Sequence, residues 1–305
     1  MSELLPFAKL SGSGNDFVCI DNHNGQLGPA FSQPRRLAHL AKVLCRRGLG
    51  IGADGLIIAQ APEIEGVADI AASFLEPDGS QAELCGNGVA CFTRWVLEER
   101  LAAGPEVRIL TGAGVVRGKN GEGTGYMRAC IPIPESVQTD RTIRTGRRRW
   151  TYDFAVTGVP HLVTYVEDLE KLEVSHWGPL LRHHEQFGPR GVNANFVQVL
   201  GEGRLAVRTY EFGVEGETLS CGTGSATAAI LAARRFGWPA PYLRGDRPVL
   251  VQARSGDVLR IFFSLAGDRI EDVCLETLVR YLYHGRLHTD LQGRILDVQQ
   301  SPARA

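Results

Sequence analysis

Glu83-Leu84-Cys85-Gly86-Asn87-Gly88 and Glu217-Thr218-Leu219-Ser220-Cys221-Gly222-Thr223-Gly224 are two copies of one short pattern. In each, an acidic turn leads to a cysteine, then two glycines flank a polar residue and a helical stretch begins. After the first copy, Val89, Phe92, Thr93 and Val96 share one helical face. After the second, Gly222 to Phe236 is alanine-rich and short of polar residues, which predicts a helix buried on most sides. The copies lie about one domain length apart, so the spacing predicts two similar domains.

Working outward, short apolar runs predict strands at Phe17 to Ile20, Leu56 to Ala59 and Ile70 to Phe74. Between the first two, Leu37, Leu40, Ala41 and Leu44 predict a helix over Pro34 to Arg46. Further strands are expected around Phe154 to Val156, Leu162 to Val166, Phe196 to Leu200 and Leu205 to Tyr210. Asn15-Asp16-Phe17-Val18 is loosely echoed by Asn193-Ala194-Asn195-Phe196-Val197. The arginine-rich Gln138 to Trp150 reads as a solvated connector or exposed hairpin and marks the domain junction. The last ten residues read as frayed.

The bulk numbers narrow the classes. The chain has 305 residues, 44% hydrophobic and 22% charged, with a net charge of −1. That balance gives no electrostatic reason for a nucleic acid or an anionic membrane as partner. No apolar run approaches a bilayer span and no signal peptide is evident, so the expected compartment is the cytoplasm. Seven cysteines with no framework spacing argue for reduced thiols rather than a disulfide scaffold, and no C-x2-C pair suggests zinc. Most of the thiols are expected to be small buried hydrophobes.

Cys85 and Cys221 stand apart by their neighbours. A cysteine at a helix start meets unpaired backbone N–H groups and the positive end of the helix dipole, both of which favour thiolate. The N–H groups after each cysteine also form a small anion site. If both sites face one carboxylate, they stabilise the enediolate-like charge formed when an α-proton leaves. Inversion at carbon needs two acid/base groups about a planar carbanion, and the duplicated motif supplies two. A cofactor-independent amino-acid racemase or epimerase follows.

The sequence resembles the diaminopimelate epimerase family across nearly its whole length. The resemblance is carried by Gly12-Ser13-Gly14-Asn15-Asp16-Phe17, Gly50-Ile51-Gly52-Ala53-Asp54-Gly55 and Asp78-Gly79-Ser80 running into the first cysteine motif. It continues in Thr157-Gly158-Val159-Pro160-His161, Val192-Asn193-Ala194-Asn195-Phe196 and Tyr210 to Thr218 running into the second. It implies an α/β (α+β) fold of two pseudo-symmetric domains, each a mixed sheet or barrel wrapped round a central helix, with the active site in the cleft between them. Residues 1–135 would form one domain, completed by about 277–295, and 150–276 the other. The resemblance implies a reaction free of PLP and metal, with no cofactor and Cys85 and Cys221 as the two bases. It gives His161 and Glu211 a part in setting the thiols' protonation. Asn15 and Asn193 match polar substrate contacts, and the Gly86-Asn87 and Gly222-Thr223 amides match the α-carboxylate site. The partner is a small amino-acid substrate; a homodimer is among the assemblies left open.

The pattern departs from the family at the far end of the substrate. Glu76 stands where the family has asparagine, and Phe212 where it has an arginine that pairs with the distal carboxylate. Val159 replaces an asparagine and Gly55 a glutamine of other members. Phenylalanine makes no ion pair, and a glutamate would repel a carboxylate. Two substrate readings follow. One is diaminopimelate, its far end held by another residue. The other is a basic or aromatic amino acid such as lysine, ornithine or histidine, with Glu76 on the cation and Phe212 against the side chain.

Readings from other classes are weaker. A cysteine hydrolase pairing one thiol with His161 leaves the second motif unexplained. Gly50 to Gly55 is formally G-x-G-x-x-G, but a helical pattern precedes it and a strand follows, the reverse of a dinucleotide turn. Lys9, Lys42, Lys119 and Lys171 lack a recognisable PLP context. A non-catalytic amino-acid-binding relic would not need both cysteines, and a related isomerase branch of this fold uses a carboxylate instead.

Overall fold

The computed structural model describes residues 5–28, 33–267 and 269–288. They form two compact units, one of residues up to 120 with 279–288, the other of 121–278. The tail, and the 289–295 part of the segment expected to return to the first domain, lie outside the described residues.

The first unit runs β1 (Pro6–Gly12), β2 (Asn15–Asp21), α1 (Pro34–Leu44), β3 (Gly55–Gln60), β4 (Ile70–Leu75), β5 (Gln81–Ala82), α2 (Gly86–Glu98), β6 (Glu106–Thr111) and β7 (Gly114–Asn120). The β1–β2 hairpin is antiparallel, β2–β3 parallel across α1, β3–β4 antiparallel, β4–β6 parallel across α2, and β6–β7 antiparallel. Short β5 pairs on β4. Helix α2 touches β1, β2 and β7, strands from distant parts of the sheet, so the sheet curves round it. Its Gly86–Thr93 stretch is buried throughout.

The second unit repeats this plan. It runs β8 (Tyr126–Cys130), β9 (Glu135–Thr145), β10 (Arg148–Thr157), β11 (Val159–Tyr165), α3 (Val174–Arg182), β12 (Asn193–Gly201), β13 (Arg204–Glu211), β14 (Gly216–Thr218), α4 (Gly222–Arg235), α5 (Ala240–Leu243), β15 (Val249–Gln252), β16 (Val258–Ala266) and the first part of β17 (Arg269–Arg286), whose residues from Val279 on belong to the first unit. From β10 the pairings read antiparallel, parallel across α3, antiparallel, parallel across α4, antiparallel, with short β14 on β13. Each is the pairing of the corresponding strand in the first unit. Helix α4 touches β10 to β13, β15 and β16, and Ser225–Ala233 are all buried. Small residues let a sheet close in on all sides of a helix.

The topology corrects the internal alignment. In the parallel pairs, Phe17 faces Gly55 and His161 faces Asn193. Asn15 is therefore the counterpart of Val159, each opening its strand, and Gly55 is the counterpart of Asn193. The asparagine echo joined second-strand Asn15 to third-strand Asn193. The same registers, with Leu56 opposite Leu75 and Ala194 opposite Tyr210, make Glu76 the counterpart of Glu211.

The 138–150 stretch is a hairpin, β9 turning into β10 at Gly146 with Thr145 opposite Arg148. Both strands lie inside the second unit, and the chain passes between units at Asn120–Gly121 and within β17 at Leu278–Val279. Helix α3, with Pro179 inside it, has no counterpart among the expected elements. Gly50 is a packing glycine: a Cβ there would lie 2.2 Å from the Val43 carbonyl oxygen at the end of α1. One cysteine expectation is overturned. Cys130 and Cys274 stand directly opposite on antiparallel β8 and β17 and are joined as a disulfide. Direct cross-strand neighbours bring their Cβ atoms close, a proximity that a separation of 144 residues hides in the sequence. No helix among the described residues is long and apolar enough to cross a membrane.

Candidate functional site

In the first unit Cys85 is the N-cap of α2, its backbone extended, and its Sγ accepts the Gly88 N–H at 3.4 Å. The helix starts here because Cys85 leaves the helical region while its carbonyl already accepts from Val89. Gly88 is required by contact, since a Cβ would lie 2.9 Å from the Phe74 ring. Gly86 and Asn87 fill the first two helical positions. Asn87 Nδ2 donates to Asn15 Oδ1 at 2.6 Å, while Asn15 Nδ2 reaches Asp54 Oδ2 at 3.5 Å. Asp54 is itself fixed: its N–H donates to Asp16, the Asp16 N–H donates back, and Arg47 bonds both carboxylates at 2.6 and 2.8 Å. Buried Lys9 sits 2.7 Å from Asp16. Burial opposes charge on Asp16, but bonds from Arg47 and Lys9 hold its carboxyl below the usual range. This network orients Asn15 and Asn87 at the helix start.

Glu76 follows β4 and opens a tight turn in which its N–H donates to the Ser80 carbonyl and Gly79 N–H donates back. Gly79 has φ +84° and stands against the α1 backbone, where a Cβ would lie 2.6 Å from the Ala38 oxygen. Burial, with Asp78 and Asp54 nearby, pushes the Glu76 carboxyl up to about 7. It is thus neutral in a large fraction of molecules at neutral pH and able to donate a hydrogen bond, as an amide would.

In the second unit Cys221 caps α4 in the same way, its Sγ accepting the Gly224 N–H at 3.4 Å. Thr223 Oγ1 lies 3.7 Å from that sulfur and 3.1 Å from His161 Nε2. His161 is fully buried, and desolvation pushes its ring down to about 3, so it is a neutral imidazole. Val159, two residues before it, opens β11. Asn193 opens β12, and its Oδ1 accepts the Phe212 N–H at 2.7 Å. Glu211, the last residue of β13, accepts from Thr218 Oγ1 at 2.5 Å. Phe212 is 39% exposed, and its ring carries the guanidinium of Arg182 at 4.5 Å and that of Arg190 at 5.5 Å.

Asn15 and Asn87 thus meet at the start of α2 beside Cys85 and Gly86, and His161 and Thr223 at the start of α4 beside Cys221 and Gly222. Glu76 lies in the turn after β4, Val159 opens β11, Asn193 holds the Phe212 N–H and Glu211 the Thr218 hydroxyl. Three features were missed. The Thr223 hydroxyl and the Asn195 amide line the His161 ring, and two arginines flank Phe212. The arginines come from the last residue of α3 and the loop after it, where no element was expected.

The sequence matches the family described as Diaminopimelate epimerase over residues 7–126 and 154–262. It is 38% identical to a diaminopimelate epimerase of Aquifex aeolicus (strain VF5) over 292 residues, 94% of this chain and 99% of that protein. A diaminopimelate epimerase of Archaeoglobus fulgidus is 38% identical over 241 residues, covering 75% and 82%. Among solved structures, a hydroxyproline epimerase from Agrobacterium vitis superposes with a TM-score of 0.69 at 20% identity, covering 95% of this chain and 94% of that one. A probable proline racemase from Agrobacterium radiobacter K84 gives 0.69 at 17% identity, covering 94% and 93%. At these identities the two structures speak to the fold alone.

Proposed function

The chain belongs to the diaminopimelate epimerase family, and on that footing we propose that it interconverts LL- and meso-2,6-diaminopimelate through two cysteine sulfurs. One thiolate removes the α-proton and becomes a thiol; the carbanion takes a proton from the other thiol on its opposite face, leaving a thiolate there. No external acid or base is consumed, and the reverse reaction starts from the exchanged protonation states. The observation that carries the reading is the duplicated helix cap, in which each sulfur sits beside backbone N–H groups suited to a carboxylate gaining enediolate charge. The test incubates the enzyme with diaminopimelate and a panel of L-amino acids in D2O, reading mass and chirality at Cα together. Inversion of diaminopimelate with solvent deuterium at Cα is expected; no deuterium in any substrate would sink the two-base reading.

The arginines beside Phe212 favour a substrate with a second carboxylate over a basic one. Among the described residues Arg190 has no carboxylate partner, and its guanidinium rests on the Phe212 ring. It supplies the positive charge that residue 212 does not. Arg190→Ala is expected to raise KM for diaminopimelate about ten-fold with kcat retained, as loss of an exposed charged contact does. Faster turnover of lysine, ornithine or histidine than of diaminopimelate would favour the basic-substrate reading instead.

Glu76 gives a pH test that tells which group of the substrate it meets. Its carboxyl is neutral below about 7 and charged above. A substrate that turns its distal carboxylate to Glu76 should therefore bind more weakly as pH rises through 7, and one that turns an ammonium group to it more tightly. Glu76→Gln is expected to flatten this limb of the KM profile; an unchanged limb in the variant would remove Glu76 from the substrate site.

A further inference from the structure

We infer that Asn195 is a positioning residue that fixes the tautomer of His161, so that the Thr223 hydroxyl donates its proton to the Cys221 sulfur and supports the thiolate. The inference deepens the function proposed above and rests on Cys221 being an acid/base group.

The chain of reasoning starts at the buried amide. Asn195 Nδ2 lies 2.9 Å from the Leu162 carbonyl oxygen and 3.2 Å from that of Asn193, and Asn195 Oδ1 lies 2.9 Å from Thr209 Oγ1. Backbone carbonyls only accept, so the NH2 side of the amide must face them. That same NH2 stands 3.2 Å from His161 Nδ1. The NH2 has two hydrogens for these three neighbours, and an amide nitrogen is a poor acceptor, so a proton on Nδ1 would find no acceptor there; Nδ1 is bare. A neutral imidazole then carries its proton on Nε2. From there it donates to Thr223 Oγ1 at 3.1 Å, and the hydroxyl, with an acceptor site filled, turns its hydrogen to Cys221 Sγ at 3.7 Å. Together with the Gly224 N–H, the sulfur gains a second donor that its charged form uses best. With Nδ1 protonated instead, Nε2 would accept from Thr223 and draw that hydrogen away from the sulfur.

The other charged groups on strands against α4 are spoken for. Asp153 on β10 pairs with Arg235 at the far end of the helix, Arg208 on β13 with Glu217, and Arg260 on β16 with Glu276. Tyr165 on β11 stands beside Asp153, while Tyr152 on β10 and Tyr210 on β13 bond Gln186 and the Glu215 carbonyl. Arg148, Arg149 and Arg204 are exposed. Glu211, bonded to Thr218, remains with His161 as the titratable group of this half-site.

Two measurements on the full chain test the inference without any substrate, so a wrong substrate assignment leaves them intact. Nitrogen NMR of the histidine rings should find His161 as the Nε2–H tautomer, unchanged from pH 5 to 9. An Nδ1–H tautomer or an imidazolium would overturn the inference. The alkylation rate of Cys221 by iodoacetamide, followed against pH by mass spectrometry of its peptide, gives the second readout. Thr223→Val should move the inflection up by about one pH unit, so that alkylation below it is roughly ten-fold slower. Thr223→Ser should restore the original profile, which a packing role for the side chain would not. A wild-type profile in Thr223→Val overturns the inference. Asn195→Ala is expected to mix the tautomers and shift the profile the same way; should it fail to fold, the wild-type ring spectrum still decides.

Discussion

Replacing Cys85 or Cys221 by serine is expected to lower epimerisation by about 10²–10⁴-fold in each single variant, the usual contribution of a positioned acid or base. Serine is a good N-cap, so the hydroxyl keeps the bond to the third helical amide and the fold survives. What is lost is acidity, since an alcohol does not form its anion near neutral pH as a thiol at a helix start does. In the proposed mechanism the two sulfurs act as a pair, so the double variant should be little worse than either single one. The check is the change in optical rotation in both directions, with circular dichroism to show that each variant is folded. Full activity in either variant would show that the bases are misassigned.

Glu276→Gln is expected to destabilise the second unit by about 3 kcal/mol, the low end of the cost of removing one member of a buried ion cluster. Glu276 is fully buried on β17 and stands in register with Arg128 of β8 on one side and Arg260 of β16 on the other. Its two oxygens lie 2.9 and 2.7 Å from those guanidiniums. Arg128 also covers the Phe262 ring and Arg260 the Tyr126 ring. Glutamine keeps the shape but leaves two cations facing each other across one strand. Both retain some contact with water, at 21% and 28% side-chain exposure, which keeps the cost at the low end. Urea denaturation measures it, and a loss under about 1 kcal/mol would show that the row is not electrostatically coupled. Replacing all three members by apolar residues of similar volume should recover most of the loss.

The residues of the two half-sites were not equally legible. The cysteines could be read because a helix N-terminus imposes local chemistry: an extended cap, a small residue where a ring or sulfur comes close, and an amide aimed at an anion. Helix α4 could be read because burial on all sides leaves an alanine-rich text. By contrast α3 is a nine-residue helix with Pro179 inside it, and its Arg182, set against Phe212, gave no local signal. The loss of an arginine at 212 was plain in the sequence; the cations standing beside the ring were not.

By itself, the sequence determined two helix caps bearing thiols, in two α/β halves, because capping and helix burial depend on neighbours within a few residues. Tertiary structure decided everything that depends on strand register. It paired Asn15 with Val159 and Asn193 with Gly55 rather than with each other, and placed Glu76 at the position of Glu211. It joined Cys130 to Cys274 and brought the Asn195 amide to the His161 ring. Register is set by which residues face each other across a sheet, and residues far apart in the chain meet there without leaving a local mark.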